Sequence, residues 1–425
     1  MLTKKIIKNL KLIFIILIVI LSLPVTSFAS DDIKEITILM PAPFADATND
    51  LVTEFNSKYQ GKVKLKTIRG PRDTESLSDL AISSMLLGET SFDALLVDVT
   101  WLPKYAETGW LLDLDKWIKN EELNLLAKGA RLGNKYKDRL YRWPLVSSMG
   151  LLYWRTDLMD KPPETPFELI EISKNLIKEG KVKNGFSWQG RQYEGLSCVF
   201  LEVLEGFGGK WLDEDGNVGL NNPEALKAVN WMRTLIEEGV SPKSVTNFSE
   251  PEALQAFKQG QTAFMRNWPY AWSELQKTNS PVKGKVGISK NVAINGSMST
   301  STLGSWGFSM LKSTSNPEET MLAIKFLTNK DSQIQLFKKY GYTPTISDLF
   351  KNKELQELSP IISQLENALE VTKPRPMTPF YAQISDVLQR QLSSVLTSNI
   401  SIEKAMNVAQ SNTYQILNST GKKYD

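Results

Sequence analysis

Hydrophobic and polar residues alternate with two different periods over residues 36–98. Three short apolar or alternating runs predict strands, at 36–40, 62–68 and 92–97. Two runs with helical spacing lie between them, at 48–59 and 74–87. This succession of strands and helices predicts a parallel sheet covered by helices. Ligands of such sheets bind beyond the carboxyl ends of the strands, which here are 41–46 and 98–101.

The rest of the chain predicts a second α/β region that follows the first without a flexible linker. Strands are predicted at 151–154 and 304–311, and helices at 167–180, 194–207, 223–239, 251–259, 317–328, 385–396 and 401–417. No low-complexity stretch separates the two regions. Two regions without a linker imply that the chain crosses between them more than once.

The first 29 residues have the pattern of a secretory signal peptide. Lysines at 4, 5, 8 and 11 precede an apolar segment at 12–23, and Ser27 and Ala29 offer the small side chains that signal peptidase requires. The apolar run is shorter than the roughly 20 residues of a membrane span, although an uncleaved anchor helix is the alternative. No cysteine lies near position 29, which excludes a lipid-modified cysteine there. We therefore expect a periplasmic protein that is cleaved after Ala29.

Composition and charge narrow the possible functions. Cleavage would leave 396 residues, which is enough for two domains with their own cores. It would also remove four lysines and change the formal charge from +3 to −1, so no overall basic charge indicates nucleic acid or an anionic membrane. The chain has no histidine, which excludes Ser-His-Asp and Cys-His catalysis and metal sites that use imidazole. Cys198, the one cysteine, has apolar neighbours and is expected to be buried.

Three aromatic residues are concentrated at 268–272. Trp268 and Tyr270 lie two residues apart, and Pro269 between them restricts the backbone, unlike the spacing of three or four in a helix core. Rings held on a stiff loop can stack on the apolar face of a sugar ring. A packed aromatic corner is the alternative, and Trp272 is expected to pack in the helix that follows.

Ordered motifs throughout residues 36–417 give the chain a resemblance to a known family. The motifs are Asp98-Val99-Thr100-Trp101, Gly109-Trp110-Leu111, 152–158 (LYWRTDL), 188–196 (WQGRQYEGL), 266–272 (RNWPYAW), 281–287 (PVKGKVG), 302–306 (TLGSW), Pro374-Arg375-Pro376 and Pro379-Phe380-Tyr381. Together they resemble the periplasmic sugar-binding proteins of ABC importers, most closely the trehalose/maltose-binding branch of the maltose-binding-protein superfamily. Each motif is weak by itself, and the specificity of the resemblance comes from their number and order.

The resemblance implies an α/β fold of the periplasmic-binding-protein-like type II, with two lobes of mixed sheets joined by a multi-segment hinge, as in maltose-binding protein. We expect lobe 1 to comprise residues 30–146 and 303–342, and lobe 2 to comprise residues 147–302 and 343–425. The ligand is then held in the cleft between the lobes, and no reaction is catalysed.

The resemblance also implies a set of residues that line the cleft: Asp98, Trp268, Tyr270, Trp306 and Arg375. A carboxylate accepts hydrogen bonds from adjacent hydroxyls, a guanidinium donates in a fixed fork, and aromatic faces supply apolar contact, so this chemistry suits a sugar. Structural alternatives are a turn cap for Asp98, core packing for Trp306 and a surface ion pair for Arg375. Gln189 and Tyr193 belong to a motif that forms either the cleft wall or part of the fold.

Several positions depart from the family pattern on the side of lobe 1. After Pro144 the branch has a sugar-binding tyrosine and, two residues on, an aspartate, where this chain has Val146 and Ser148. Asp46 is the nearest candidate for an acidic residue of the first strand-end loop, and Arg72 is a possible substitute for an arginine of the following helix. We therefore expect one sugar ring to be recognised as in the family, and the other half of the ligand to differ or to be smaller.

These features predict a receptor that binds a glucoside, either a disaccharide such as trehalose or sucrose or a glucosylglycerol-like compatible solute. It would deliver this ligand to ABC permease subunits in the inner membrane. We expect a monomer that binds no nucleic acid and needs no cofactor or metal. A secreted glycoside hydrolase is one alternative, and it would need two carboxylates about 5–9 Å apart. A receptor of the same fold for a non-sugar ligand, such as a glycerophosphodiester or a metal, is another.

Overall fold

The computed structural model describes residues 33–88, 90–398 and 400–419, so the predicted signal peptide lies outside the described residues. The strands are β1 (Lys34–Pro41), β2 (Val63–Gly70), β3 (Ala94–Asp98), β4 (Lys135–Tyr136), β5 (Arg139–Leu140), β6 (Trp143–Met149), β7 (Leu151–Arg155), β8 (Asn184–Ser187), β9 (Thr262–Asn267), β10 (Val286–Ser289), β11 (Ser301–Met310) and β12 (Thr372–Lys373).

The helices alternate with these strands over most of the chain. They are α1 (Ala42–Lys58), α2 (Thr74–Leu86), α3 (Leu102–Glu107), α4 (Asn120–Asn124), α5 (Pro166–Lys178), α6 (Glu194–Gly206), α7 (Pro223–Glu237), α8 (Glu250–Lys258), α9 (Tyr270–Leu275), α10 (Pro317–Leu327), α11 (Lys330–Tyr340), α12 (Lys353–Leu358), α13 (Ile362–Glu370), α14 (Tyr381–Thr397) and α15 (Ile402–Asn418). No helix in the described part of the chain is long and apolar enough to cross a membrane.

The first sheet has six strands and contains the predicted strand–helix units of the N-terminal region. Its order is β12-β11-β3-β1-β2, and β6 pairs with β11. Strand β1 runs parallel to β2 and β3, which confirms the predicted parallel pairing. Strand β11 runs antiparallel to both β3 and β6, which makes the sheet mixed. The carboxyl end of β3, at Asp98, therefore lies beside the middle of β11.

The second sheet has four strands in the order β10-β7-β9-β8. Strand β9 pairs antiparallel with β7 and parallel with β8. Helices α6, α7, α14 and α15 bury an apolar core against it, which includes Trp188, Phe200 and Leu388. Cys198 on α6 is buried among these side chains, as predicted, and burial raises the pKa of its thiol.

Two connections between the sheets lie side by side. One passes from β6 to β7 through Gly150, and the other passes from β10 to β11. The hydroxyl of Ser301 donates to the carbonyl of Gly150 over 2.8 Å. The side-chain amide of Asn291 donates to the carbonyls of Gly150 and Thr300, at 3.3 and 3.1 Å. The chain thus crosses between the sheets more than once, through segments that hydrogen-bond to one another.

Helix α1 begins six residues earlier than the sequence pattern predicts. It starts at Ala42, directly after β1, with Pro41 as its N-cap and Pro43 in its first turn. Proline is tolerated there because the first N–H groups of a helix have no intrahelical acceptor, and its fixed φ angle suits the helix. The two prolines therefore start the helix rather than forming the predicted strand-end loop, and Asp46 lies within α1.

The segment that follows residue 343 lies beside the first sheet as far as β12. Helix α13 packs on the side of the first sheet, where Ile362 and Leu365 are buried in the same core as Leu145 of β6. Strand β12 then pairs with β11. Helix α13 contacts β6 and β11, so the chain stays beside the first sheet up to β12. The chain reaches the second core only with α14.

Candidate functional site

The centre of the candidate site is the segment of β11 between Leu303 and Trp306. In the antiparallel register, Trp306 lies opposite Asp98 of β3, and Gly304 lies opposite Ser148 of β6. Alternate residues of a strand point to the same side of the sheet, so Gly304 and Trp306 share one face. The predicted residues Asp98, Ser148 and Trp306 are therefore brought together by strand pairing alone.

Arg375 joins this group through a buried ion pair with Asp98. Its Nη2 donates to the two carboxylate oxygens of Asp98 at 2.9 and 3.2 Å, and lies 3.5 Å from the carbonyl oxygen of Leu303. The side chains are 2% and 6% exposed. Asp98 also caps the turn after β3, because it accepts from the N–H and the hydroxyl of Thr100 at 3.0 and 2.8 Å. The carboxylate of Asp98 thus caps the turn after β3 and is also the buried ion-pair partner of Arg375.

The second end of the Arg375 guanidinium contacts Glu194, which the sequence did not single out. Nη1 donates to Glu194 over 2.6 Å, and the same carboxylate accepts from the hydroxyls of Tyr381 and Ser385. Burial by itself would lower the pKa of Arg375, but the carboxylate of Asp98 holds the pKa well above its usual value. Within the described residues Nε of Arg375 is buried and has no hydrogen-bond partner. The guanidinium is therefore permanently charged, because arginine is not deprotonated in proteins.

Trp268 lies between β9 and α9, and its half-buried ring faces β11. A Cβ atom at Gly304 would lie 2.7 Å from Cζ3 of the indole, so the ring packs directly on the glycine. The guanidinium carbon of Arg266 lies 4.0 Å from the centre of the indole. The indole N–H donates to Glu250 over 3.1 Å. The aromatic segment that follows β9 of the second sheet thus contacts the first sheet at Gly304.

Aromatic side chains from segments next to the first sheet contact Trp306. Its ring lies 5.4 Å from that of Trp101 and 5.5 Å from that of Phe44, measured between centroids. Phe44 in turn lies 5.0 Å from Tyr342. Phe44, Tyr342 and Trp306 are each only half-buried, so part of this aromatic surface stays accessible. The sequence did not predict Phe44 or Tyr342, because they are separated by almost 300 positions and only folding brings them together.

Tyr270 is the first residue of α9 and is half-buried. Burial raises the pKa of its hydroxyl, and the nearby carboxylate of Glu250 raises it further. The predicted stiff loop is therefore short: it holds Trp268 and Pro269, and Tyr270 already belongs to the helix. Trp272 on the same helix packs against the core, as predicted.

The two uncertain residues of the 188–196 motif lie behind the aromatic segment. Gln189 is fully buried; its Nε2 donates to the carbonyl of Arg266 over 3.0 Å, and its Oε1 accepts from Nη1 of Arg266 over 3.3 Å. Both ends of the amide are thus bonded within the fold. Tyr193 is half-buried, and its hydroxyl donates to Glu250 over 2.8 Å. Tyr193 therefore reaches Trp268 through a shared carboxylate.

Asp46 and Arg72 lie apart from the buried group. Asp46 is exposed on α1, and Arg69 donates to both of its carboxylate oxygens at 2.8 and 3.0 Å. These hydrogen bonds hold the pKa of Asp46 below its usual value. Arg72 is also exposed, near Asp46 and Tyr342. The predicted acidic ligand at the first strand end is thus a surface ion pair, because the early start of α1 places Asp46 on the helix.

Two further features of the described residues, a surface groove and the distribution of possible metal ligands, point to no additional site. A groove of about 620 Å³ lies between α5, α7 and α15 and contains none of the predicted site residues. No group of three or more histidine, cysteine, aspartate or glutamate side chains in the described ranges could hold a metal ion.

Comparison with known sequences identifies a family that covers most of the chain. Residues 41–334 match the family described as bacterial extracellular solute-binding protein. A probable ABC transporter-binding protein of Deinococcus radiodurans is 32% identical over 349 residues, which are 78% of this chain and 82% of that protein.

Solved structures of related proteins have a similar fold. The maltose-bound MalE3 of T. maritima is 34% identical and superposes with a TM-score of 0.84, covering 89% of this chain and 99% of its own. A solute-binding protein of Thermotoga lettingae bound to α-D-tagatose has 23% identity and a TM-score of 0.79, covering 90% and 100% of the two chains, and supports the fold alone. These similarities confirm the predicted α/β, maltose-binding-protein-like fold of type II with two lobes.

Proposed function

This chain belongs to the bacterial extracellular solute-binding protein family, and we propose that it is the receptor of an ABC importer for a glucoside. At the coarser level it is a substrate-binding receptor of an ABC sugar transporter, as its family and its solved relatives are. Those relatives are solute-binding proteins rather than enzymes. The proposal concerns which class of sugar it binds and which residues hold it.

The convergence of three separate chain segments on β11 carries the proposal. Trp268 packs on Gly304, Trp306 lies opposite Asp98, and Arg375 bonds to both Asp98 and Leu303. Half-buried aromatic rings beside a charged donor and a charged acceptor are the groups that bind a sugar, which has apolar C–H faces and a rim of hydroxyls. Asp98, Trp268, Tyr270, Trp306 and Arg375 are therefore our proposed ligand-binding residues.

We propose a glucoside of limited size, such as a disaccharide or a glucosylglycerol-like compatible solute. The maltose bound by MalE3, a relative of 34% identity, is itself a glucoside of two rings and supports this class. Val146 is buried in the sheet and Ser148 is small, so this chain offers fewer polar contacts to the second half of a ligand than the trehalose/maltose branch does. A long maltodextrin fits this arrangement less well.

Binding would close the two lobes about the paired crossing segments, by the rigid-body motion typical of such receptors. The hydrogen bonds that join Gly150, Asn291 and Ser301 keep these segments together while the lobes rotate. We further propose that the closed receptor docks as a monomer on the permease subunits, outside the inner membrane, after removal of the signal peptide.

A thermal-shift screen followed by calorimetry tests the proposed function. Maltose, trehalose, sucrose and glucosylglycerol are compared with ribitol, tagatose and glycerophosphocholine. A ligand that binds only the native state raises the melting temperature by mass action, so the size of the shift ranks the candidates. Shifts with the glucosides support the proposal, and shifts confined to the other compounds contradict it. Release of glucose during long incubation with trehalose or maltose would instead favour the hydrolase.

A further inference from the structure

Some contacts of Trp268 hold its indole ring, and others hold its backbone. Arg266 lies 4.0 Å from the ring centre, and the backbone of Trp268 is tied through its N–H to Asn267 and through its carbonyl to Tyr153, at 2.8 Å each. The stacked guanidinium supports the ring, and Gly304 lies against its six-membered part. The backbone bonds fix the start of the side chain only. None of these contacts engages the indole N–H at the edge of the ring.

Glu250 contacts the indole N–H and joins it to a second aromatic residue. Its Oε1 accepts from the indole N–H of Trp268 over 3.1 Å, and its Oε2 accepts from the hydroxyl of Tyr193 over 2.8 Å. The carboxylate is therefore shared between two elements, the segment after β9 and the start of α6. The backbone carbonyl of Glu250 also accepts a hydrogen bond from the side-chain amide of Asn267 over 3.2 Å.

The position of Glu250 on α8 explains why its side chain is free for this contact. It is the first residue of the helix, whereas the reciprocal capping bonds are made by Ser249 and Glu252. A carboxylate in the first turn is favoured by the partial positive charge of the helix N-terminus. Glu252 thus caps the helix, and the side chain of Glu250 bonds to Trp268 and Tyr193.

We infer that Glu250 is a positioning residue for ligand binding, which sets the orientation of the Trp268 ring and couples it to Tyr193. The inference rests on the proposed function, because it assigns a role at the same site. A stacking contact depends on the angle between the ring planes, and a ring that rotates freely in the unbound state must be ordered again on binding. Glu250 removes that cost by ordering the indole in advance.

Two substitutions separate this role from a general contribution to folding. Glu250→Gln keeps an acceptor for the indole N–H, and its amide can donate to the hydroxyl of Tyr193. Glu250→Ala leaves both donors without their partner. Glu252→Ala is the matched control, because it removes a carboxylate from the same turn that contacts Ser249 instead.

The first measurement needs no ligand. The indole N–H signals of the protein labelled with ¹⁵N-tryptophan are recorded, and that of Trp268 is identified among the eleven tryptophans by its loss in Trp268→Phe. A hydrogen bond to a carboxylate moves the indole proton downfield. We expect the Trp268 signal to move upfield and broaden in Glu250→Ala, to stay close to the wild-type position in Glu250→Gln, and to be unchanged in Glu252→Ala.

The second measurement is calorimetric affinity for maltose, trehalose and sucrose. We expect affinity for the sugar that binds wild-type protein to be about tenfold weaker in Glu250→Ala and to recover in Glu250→Gln. An unchanged Trp268 signal, or unchanged affinity in Glu250→Ala, would overturn the inference while leaving the receptor function intact. If none of the sugars binds wild-type protein, the proposed function fails, and the indole signal still decides whether Glu250 orients the ring.

Discussion

Gly304 of β11 lies directly beneath the indole of Trp268, so close that a Cβ atom there would stand 2.7 Å from Cζ3 of the ring. The glycine belongs to the first sheet and the tryptophan to the segment that follows β9 of the second. Here the two halves of the molecule meet at a residue without a side chain. The space that the glycine leaves open determines where the ring lies.

Gly304→Ala should therefore weaken sugar binding. The ring cannot move aside easily, because Arg266 supports it and Glu250 holds its N–H. Overpacking of this kind costs about 1–3 kcal/mol, so we expect affinity to fall by about tenfold or more in calorimetric titration. Ser309→Ala is the control on the same strand, since Ser309 is buried and lies opposite Leu95 of β3, five residues from Gly304. Equal affinities of the two variants would contradict the packing argument.

Trp268→Ala should lower the affinity for the sugar by about 2 kcal/mol or more, because large aromatic anchors dominate sites of this type. The fold should be largely retained, since the ring is only half-buried. Trp272→Ala is the comparison within the same segment, and its ring packs against the core. We expect calorimetry to report the larger loss of affinity for Trp268→Ala and thermal unfolding to report the larger loss of stability for Trp272→Ala. The reverse pattern would show that Trp268 is a packing residue.

Ser148→Asp should shift the preference of the receptor toward trehalose or maltose. The position lies opposite Gly304 in the register with β11, next to the proposed ligand residues, and is half-buried. A carboxylate there would accept hydrogen bonds from sugar hydroxyls and restore an acidic acceptor of the branch. The ratio of affinities for trehalose, maltose and sucrose measures the effect, with Ser148→Asn as the uncharged control. Ratios that stay the same in both variants would reject the role of this position.

Glu75→Ala should favour the open arrangement of the lobes. The carboxylate of Glu75 on α2 accepts from the backbone N–H of Glu194, the first residue of α6, over 2.8 Å, and so links the two lobes. Because Glu75 is exposed, we expect sugar affinity to fall by only about fivefold. Small-angle scattering should give a larger radius of gyration at a fixed sugar concentration. Asp79→Ala on the next turn of α2 should leave both quantities unchanged, and equal behaviour of the two variants would argue against the link.

Asp157→Asn should change the pH dependence of stability. Arg155 donates two hydrogen bonds of 2.7 Å to Asp157 and thereby lowers the pKa of this carboxyl from its usual value of 3.8. The folded state then binds fewer protons than the unfolded state, so the stabilisation is present above the unfolded pKa and is lost as pH falls through the folded pKa. Urea unfolding at several pH values should show a difference between wild type and variant that is constant near neutrality and shrinks below about pH 4. A difference that does not depend on pH would show that the charge of Asp157 is not its cause.

Much of the fold follows from local pattern. The alternating run at 62–68 and the apolar run at 151–154 became β2 and β7, because hydrophobic period reports directly which face of a strand is buried. The start of α1 was missed, since prolines indicate a break and a helix start equally well. No local pattern says which sheet a helix lies beside, and for α13 the contacts with β6 and β11 decide it.

By itself, the sequence determined the α/β class, the two regions without a linker and the concentration of aromatic residues at 268–272, whereas Asp98 and Arg375 were expected at the site only because of the resemblance to a family. Those features depend on residue type and on spacing over a few positions. Only the tertiary structure decided that Gly304 lies under Trp268, that Glu250 holds the indole, and that Glu194 shares Arg375 with Asp98. Each of these contacts joins residues of different elements, and the two partners lie between 18 and 277 positions apart in the sequence. Contacts over such separations are set by strand register and helix packing in three dimensions, which no local window of sequence contains.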